Sequence, residues 1–149
     1  MSKITKVVGR QVFDSRGNPT VEAEVFSNNI SAKAICPSGA STGTYEAFEK
    51  RDKSNKRYLG KSVLGAIRLI NTKISKKLRG ISIHDQERID AIMINLDGTK
   101  QKMKFGANAI LAVSMSAKKL SAKVKKLPLY KTFLAVSYTH LTLPTSDLV

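Results

Sequence analysis

The stretch Asp14-Ser15-Arg16-Gly17-Asn18-Pro19-Thr20-Val21-Glu22-Ala23-Glu24-Val25 decides the fold. Gly17 permits positive φ and Pro19 lacks the N–H that a continuing ladder needs, so residues 14–19 turn the chain. Beyond the turn Val21, Ala23 and Val25 alternate with Glu22 and Glu24, the period of a strand with one buried and one polar face. Working outward, β-branched and aromatic residues recur between Ile4 and Cys36, and Asn28-Asn29 suits a hairpin. Residues 4–36 therefore predict a three-stranded antiparallel meander whose apolar face needs a cover.

After the loop at residues 37–43 the period changes from two to three or four. Val63, Ile67, Ile70 and Ile74 make one helical stripe, and Ile89, Ile92 or Met93, and Leu96 make a second. Asp97-Gly98 ends the second helix. From Ala107 a third stripe, Ile110, Leu111, Ser114, Ala117, Ser121 and Val124, is rich in small side chains that allow close packing, and Pro128 stops it. Strands followed by helices give an α+β fold, a meander with a helical cover.

Composition limits what such a domain can do. The 149 residues are 42% apolar and 25% charged, enough apolar material for a core despite a net charge of +15. No apolar run reaches the roughly 20 residues that span a bilayer, and residues 1–10 lack the pattern of a signal peptide, so a soluble, cytoplasmic protein without membrane partners is expected. Cys36 is the sole cysteine, and His84 and His140 do not give zinc-ligand spacing with it. A small basic nucleic-acid-binding α+β module is the alternative that the charge raises. Against it, the cations are 19 Lys and only 7 Arg, spread from Lys3 to Lys131, with no Trp. Arg forks and aromatic platforms are what nucleic-acid readers use, so a solvated face is the better reading.

Three local patterns resolve to structure. Gly60-Lys61-Ser62 resembles the end of a P-loop, but Asn55 stands where that motif needs glycine, so these residues read as a turn opening a helix at Lys61. His84-Asp85 reads as a helix start, with Asp85 near the positive end of the dipole. Cys36 reads as a small buried side chain. The segment Pro37-Ser38-Gly39-Ala40-Ser41-Thr42-Gly43-Thr44 differs: without large side chains, its N–H groups and hydroxyls can approach an anion or a hard metal ion.

Four motifs in order, Asp14-Ser15-Arg16-Gly17-Asn18-Pro19-Thr20-Val21-Glu22, Pro37-Ser38-Gly39-Ala40-Ser41-Thr42-Gly43, Leu96-Asp97-Gly98-Thr99 and Lys104-Phe105-Gly106-Ala107-Asn108-Ala109-Ile110-Leu111, closely resemble the amino-terminal domain of the enolase (phosphopyruvate hydratase) family. The resemblance covers residues 4–134 and implies the same α+β fold. It implies a Mg²⁺-dependent lyase of glycolysis that interconverts 2-phosphoglycerate and phosphoenolpyruvate. In that family the lysine base, the assisting glutamates and the first magnesium's acidic ligands lie in a carboxy-terminal barrel, so the chain is expected to be truncated before its catalytic residues and inactive alone. Ser41 matches the serine that helps bind the second magnesium, and Gly39 and Ala40 match the loop that closes over substrate. Arg10 and Glu22 match salt-bridge positions of a homodimer.

Two departures fall outside that loop: Lys53-Ser54-Asn55-Lys56 follows Asp52 where the family usually has Asp-Gly-Asp-Lys after the Arg-Asp, and Ser62 replaces the second glycine of Gly-Lys-Gly, at a surface turn and helix start. Residues 135–149 match nothing at this point of the family and resemble a translated sequencing adapter. The domains are accordingly read as 1–134, the family domain, and 135–149, a disordered non-native tail.

Overall fold

The computed structural model describes residues 2–38, 43, 45–53 and 56–133. Three strands come first, β1 (Lys6–Phe13), β2 (Pro19–Ser27) and β3 (Ile30–Cys36), in the order β1-β2-β3 with both pairings antiparallel. Register rows run Lys6–Phe26–Ser31 at one end and Gln11–Val21–Cys36 at the other. The predicted meander and both turns are present. Asp14 makes the first turn: its Oδ1 accepts from the N–H groups of Arg16 and Asn18, both at 2.9 Å, while Gly17 takes φ +74°. The bond from Asn18 is the main reason that the Asp14 carboxyl lies below its ordinary value.

Helices cover the apolar face. α1 (Leu64–Leu69) passes through a π-helical turn, Ile70–Ile74, into α2 (Ser75–Leu78), and α3 (Gln86–Asp97) precedes α4 (Ala107–Val124). Val21, Ala23 and Val25 from β2 meet Ile70 and Ile74 from the π turn, Ile89 and Met93 from α3, and Val113 and Leu120 from α4 in one core. Gly9 permits this closeness, since a Cβ there would sit 3.1 Å from three Ile70 carbons. The π turn also serves β1, the edge strand. Asn71 accepts from Gly9 N–H at 2.7 Å and donates to its carbonyl, and Ser75 accepts from Val7 N–H at 3.1 Å. At Val7 and Gly9 the free edge of β1 is thereby met by side chains.

Four expectations need correction. Glu22, placed on a polar face, is buried, because β2 is the central strand and Arg10 and Lys33 from its neighbours lie over it. Leu111, placed in the buried stripe of α4, is 49% exposed, while Ala109, Ala112, Val113 and Ser116 are buried. The small residues bring the helix down on the sheet, so the buried face is centred on them and Leu111 falls outside. The helix expected at Lys61 opens at Leu64, after a turn in which Tyr58 and Leu59 both adopt positive φ. Ser62 is no surface residue: it is fully buried, and its hydroxyl donates to Gln11 Oε1 at 2.9 Å. The assignment of residues 135–149 as a tail lies outside the described residues.

Candidate functional site

Gly39, Ala40 and Ser41 lie outside the described residues, but the supports on both sides of them are described. Ser38 is the last of these before the loop. Its carbonyl accepts from Arg16 Nη2 at 2.9 Å and its hydroxyl from Arg51 Nη2 at 2.8 Å. Arg16 is aimed by the Asp14 turn. Arg51 is a hub, donating also to the carbonyls of Pro19 and Lys61 and pairing with Glu49 at 2.8 Å. One planar guanidinium thus ties the end of the first turn, the loop and the approach to α1, a job for which a lysine lacks the donors. On the far side, Glu46 accepts from Gly43 N–H at 2.9 Å and its own N–H donates to the Gly43 carbonyl.

The remaining two motifs build the platform that carries Arg51. Asp97 is fully buried at the end of α3, where Gly98 takes φ +67°. Its carboxylate accepts from Thr99 N–H, from the Thr99 hydroxyl and from Phe105 N–H at 2.8 Å. Burial pushes the Asp97 carboxyl up, but these donors outweigh it and hold the group below its ordinary value. The Phe105-Gly106 segment is thereby fixed and starts α4. Asn108, in the first turn of α4, accepts from Lys50 N–H and donates to the Lys50 carbonyl, both at 3.1 Å. Gly106 is needed for that approach: φ is +88°, and a Cβ would lie 2.4 Å from Asn108 Oδ1 and 2.5 Å from Lys50 Cβ. Asp52, two residues on, accepts the Gly65 N–H at the start of α1.

The other three motifs therefore support the residues on either side of the loop that the second motif contains. Arg16, Glu46 and Arg51 are the positioning residues that the motif reading did not single out; the signal for Arg16 was its place inside Asp14-Ser15-Arg16-Gly17. Cys36 ends β3, its carbonyl accepting from the Thr20 hydroxyl at 2.5 Å. Burial, helped by Glu49, pushes its thiol up to about 11, which agrees with a buried side chain and not a nucleophile. Asp85 caps α3 by accepting from Arg88 N–H at 3.1 Å, as the sequence predicts. His84 contacts Ser121 Oγ at 2.9 Å, and burial, then Lys125, lowers its pKa.

Arg10 and Glu22 are brought together, at 3.5 Å across β1 and β2. Arg10 lies closer to Glu24, at 2.7 Å, and Lys33 reaches Glu22 at 3.6 Å. The Ser31 hydroxyl, followed by Arg10, holds the Glu24 carboxyl below its ordinary value against the effect of burial. A magnesium ion requires about six oxygens in near-octahedral array. Among the described residues no three His, Cys, Asp or Glu side chains are grouped to hold a metal, and the Ser38 hydroxyl is engaged by Arg51. These residues do not form a magnesium site. No helix among them is long and apolar enough to cross a membrane.

Comparison with known proteins agrees with the α+β fold. The family model "Enolase, N-terminal domain" matches residues 4–133. The chain is 70% identical over 149 residues to the enolase of Pelagibacter ubique (strain HTCC1062), an alignment covering 100% of this chain and 36% of that protein. The chain thus spans about a third of the length of the curated relative it matches. With the α+β meander, the helical cover and the family match over the same residues, the chain belongs to the enolase N-terminal domain family.

Proposed function

We propose that this chain is the amino-terminal part of a magnesium-dependent enolase that interconverts 2-phosphoglycerate and phosphoenolpyruvate in glycolysis, and that residues 1–134 are its family domain. The observation that carries the reading is the bracketing of residues 39–42 between Ser38, held by Arg16 and Arg51, and Gly43, held by Glu46. A loop anchored at both ends on a rigid platform can close over a bound substrate and return to one position. Gly39 and Ala40 put little side-chain bulk in the way, and Ser41 offers a hydroxyl. When bound with substrate, magnesium supplies Lewis-acid stabilisation of negative charge. Ser41 would offer it one oxygen, and the rest would come from outside the described residues.

The same reading places the enzyme in the cytoplasm as a homodimer with Arg10 and Glu22 at the interface. The two are linked within one sheet, so forming that interface would exchange or extend the Arg10–Glu22–Glu24–Lys33 network. The family match favours this function over the nucleic-acid-binding alternative. The test joins residues 1–134 to the remaining two-thirds of the Pelagibacter relative and assays phosphoenolpyruvate formation from 2-phosphoglycerate with Mg²⁺. Turnover is expected; a folded fusion without turnover would contradict the proposal.

A further inference from the structure

The charge of this chain is not evenly spread. Between Asp52 and Asp85 there are nine lysines and arginines and no acid. Those residues include α1, the π turn and α2, whose inner face is consumed by the core through Ile70, Ile74 and Leu78. The cations are consequently left on the outer side. Where α2 meets the start of β1 the surface folds into a groove of about 520 Å³, lined by Thr5, Lys6, Asn71, Ser75, Lys76 and Arg79 together with Thr72. Lys6 comes from the strand wall, where its Nζ lies 6.0 Å from the centroid of the Phe26 ring, and Lys76 and Arg79 come from α2 and the residue after it. No carboxylate lines the groove, and none of these three cations has a salt-bridge partner among the described residues.

From these observations we infer that the groove is a binding site for a compact oligophosphate, an anion carrying several adjacent phosphate groups. Three like charges around one cavity repel one another, and an anion with several charges relieves that repulsion at all three places at once. Donors are of the right kind: two ammonium groups and a guanidinium, which suits phosphate oxygens in pairs. The floor is built, because Asn71 and Ser75 are held by the Gly9 and Val7 backbone through the π turn, a helix irregularity frequent at binding sites. The site is also separate from the loop described above. Lys6 lies in the Lys6–Phe26–Ser31 row, and the loop leaves from the opposite, Gln11–Val21–Cys36 end of the sheet.

The experiment is a titration of the full 149-residue chain with inorganic tripolyphosphate, followed by calorimetry and by amide NMR shifts of residues 5, 6, 71–76 and 79. Orthophosphate, and a single-stranded oligonucleotide of matched charge, are the comparison ligands. Two triple variants lose the same net charge: Lys6→Gln with Lys76→Gln and Arg79→Gln in the groove, and Lys100→Gln with Lys119→Gln and Lys126→Gln outside it. Tripolyphosphate should bind saturably and more tightly than orthophosphate, and the groove triple should weaken it on the order of 30-fold while the control triple changes it less than about threefold. Should the groove triple fail to fold, the exposed single change Lys76→Glu should still weaken binding. Equal losses in the two triples would mean a response to net charge alone and would overturn the site. Equal binding of orthophosphate, or tighter binding of the oligonucleotide through the same residues, would overturn the compact oligophosphate as its ligand.

Discussion

The Arg51 guanidinium donates to the Ser38 hydroxyl across 2.8 Å, joining the segment before α1 to the residue that opens the loop. Its other donors reach Pro19 and Lys61 carbonyls. Arg51→Met keeps the stem but leaves these acceptors unpaired in part-buried surroundings, and it should cost roughly 1–3 kcal/mol, read from urea midpoints. Arg51→Lys should recover little of this, since an ammonium cannot fork between them. Full recovery by lysine would show that charge alone matters at this position.

Gly106 and Gly80 make a controlled pair. Both have positive φ, +88° and +86°, but a Cβ at Gly106 would strike Asn108 and Lys50, whereas nothing lies within 4 Å of one at Gly80. Gly80→Ala should cost about 1–2 kcal/mol of backbone strain, and Gly106→Ala about 2 kcal/mol more, with loss of NMR shift dispersion at residues 48–51. Equal costs would mean that the Asn108–Lys50 contact does not depend on the glycine.

Asp97 should govern part of the acid limb of stability. Its folded pKa is lowered, so its contribution is present above the unfolded value of about 3.9 and is lost as the pH falls through the lower folded value. At pH 7, Asp97→Asn should cost about 2 kcal/mol, since the buried charged acceptor serves three donors. The gap between variant and parent should narrow toward pH 3. A gap independent of pH would contradict the ionised state assigned to Asp97.

Cys36 should resist alkylation. With 7% exposure and a thiol pushed up to about 11, almost none of it is thiolate at pH 8. Iodoacetamide should label it only after urea is added, and fast labelling of the native chain would contradict its burial at the end of β3.

Much of this fold was legible because its punctuation is chemical. Gly17 and Pro19 fix the first turn, Asp85 and Gly98 delimit α3, and period-two alternation marks β2. The parts that escaped depend on what lies opposite a residue. Glu22 reads as solvent-facing until Arg10 and Lys33 are seen across the strands. Leu111 outranks Ala112 in hydrophobicity, yet the close approach of α4 to the sheet favours the smaller side chain. Ser62 looks like a turn residue because its partner, Gln11, is distant in sequence. The π turn at Ile70–Ile74 keeps the side-chain spacing of an ordinary stripe, and it is a feature of the backbone hydrogen bonding that this spacing does not show. For the loop, the role proposed for Ser41 rests on family resemblance, and Arg16, Arg51 and Glu46, which hold the residues on either side, came from geometry.

Turnover across a Mg²⁺ titration, measured on the fusion of residues 1–134 with the relative's remaining two-thirds and on its Ser41→Ala variant, tests the role of the bracketed loop most directly. The variant should still fold. It should lose turnover on the order of 10- to 1,000-fold and require more Mg²⁺ in the presence of 2-phosphoglycerate, because a hydroxyl oxygen replaced by water is a partial loss. Superimposable titration curves for the two proteins would contradict the assignment and leave Ser41 an ordinary loop residue.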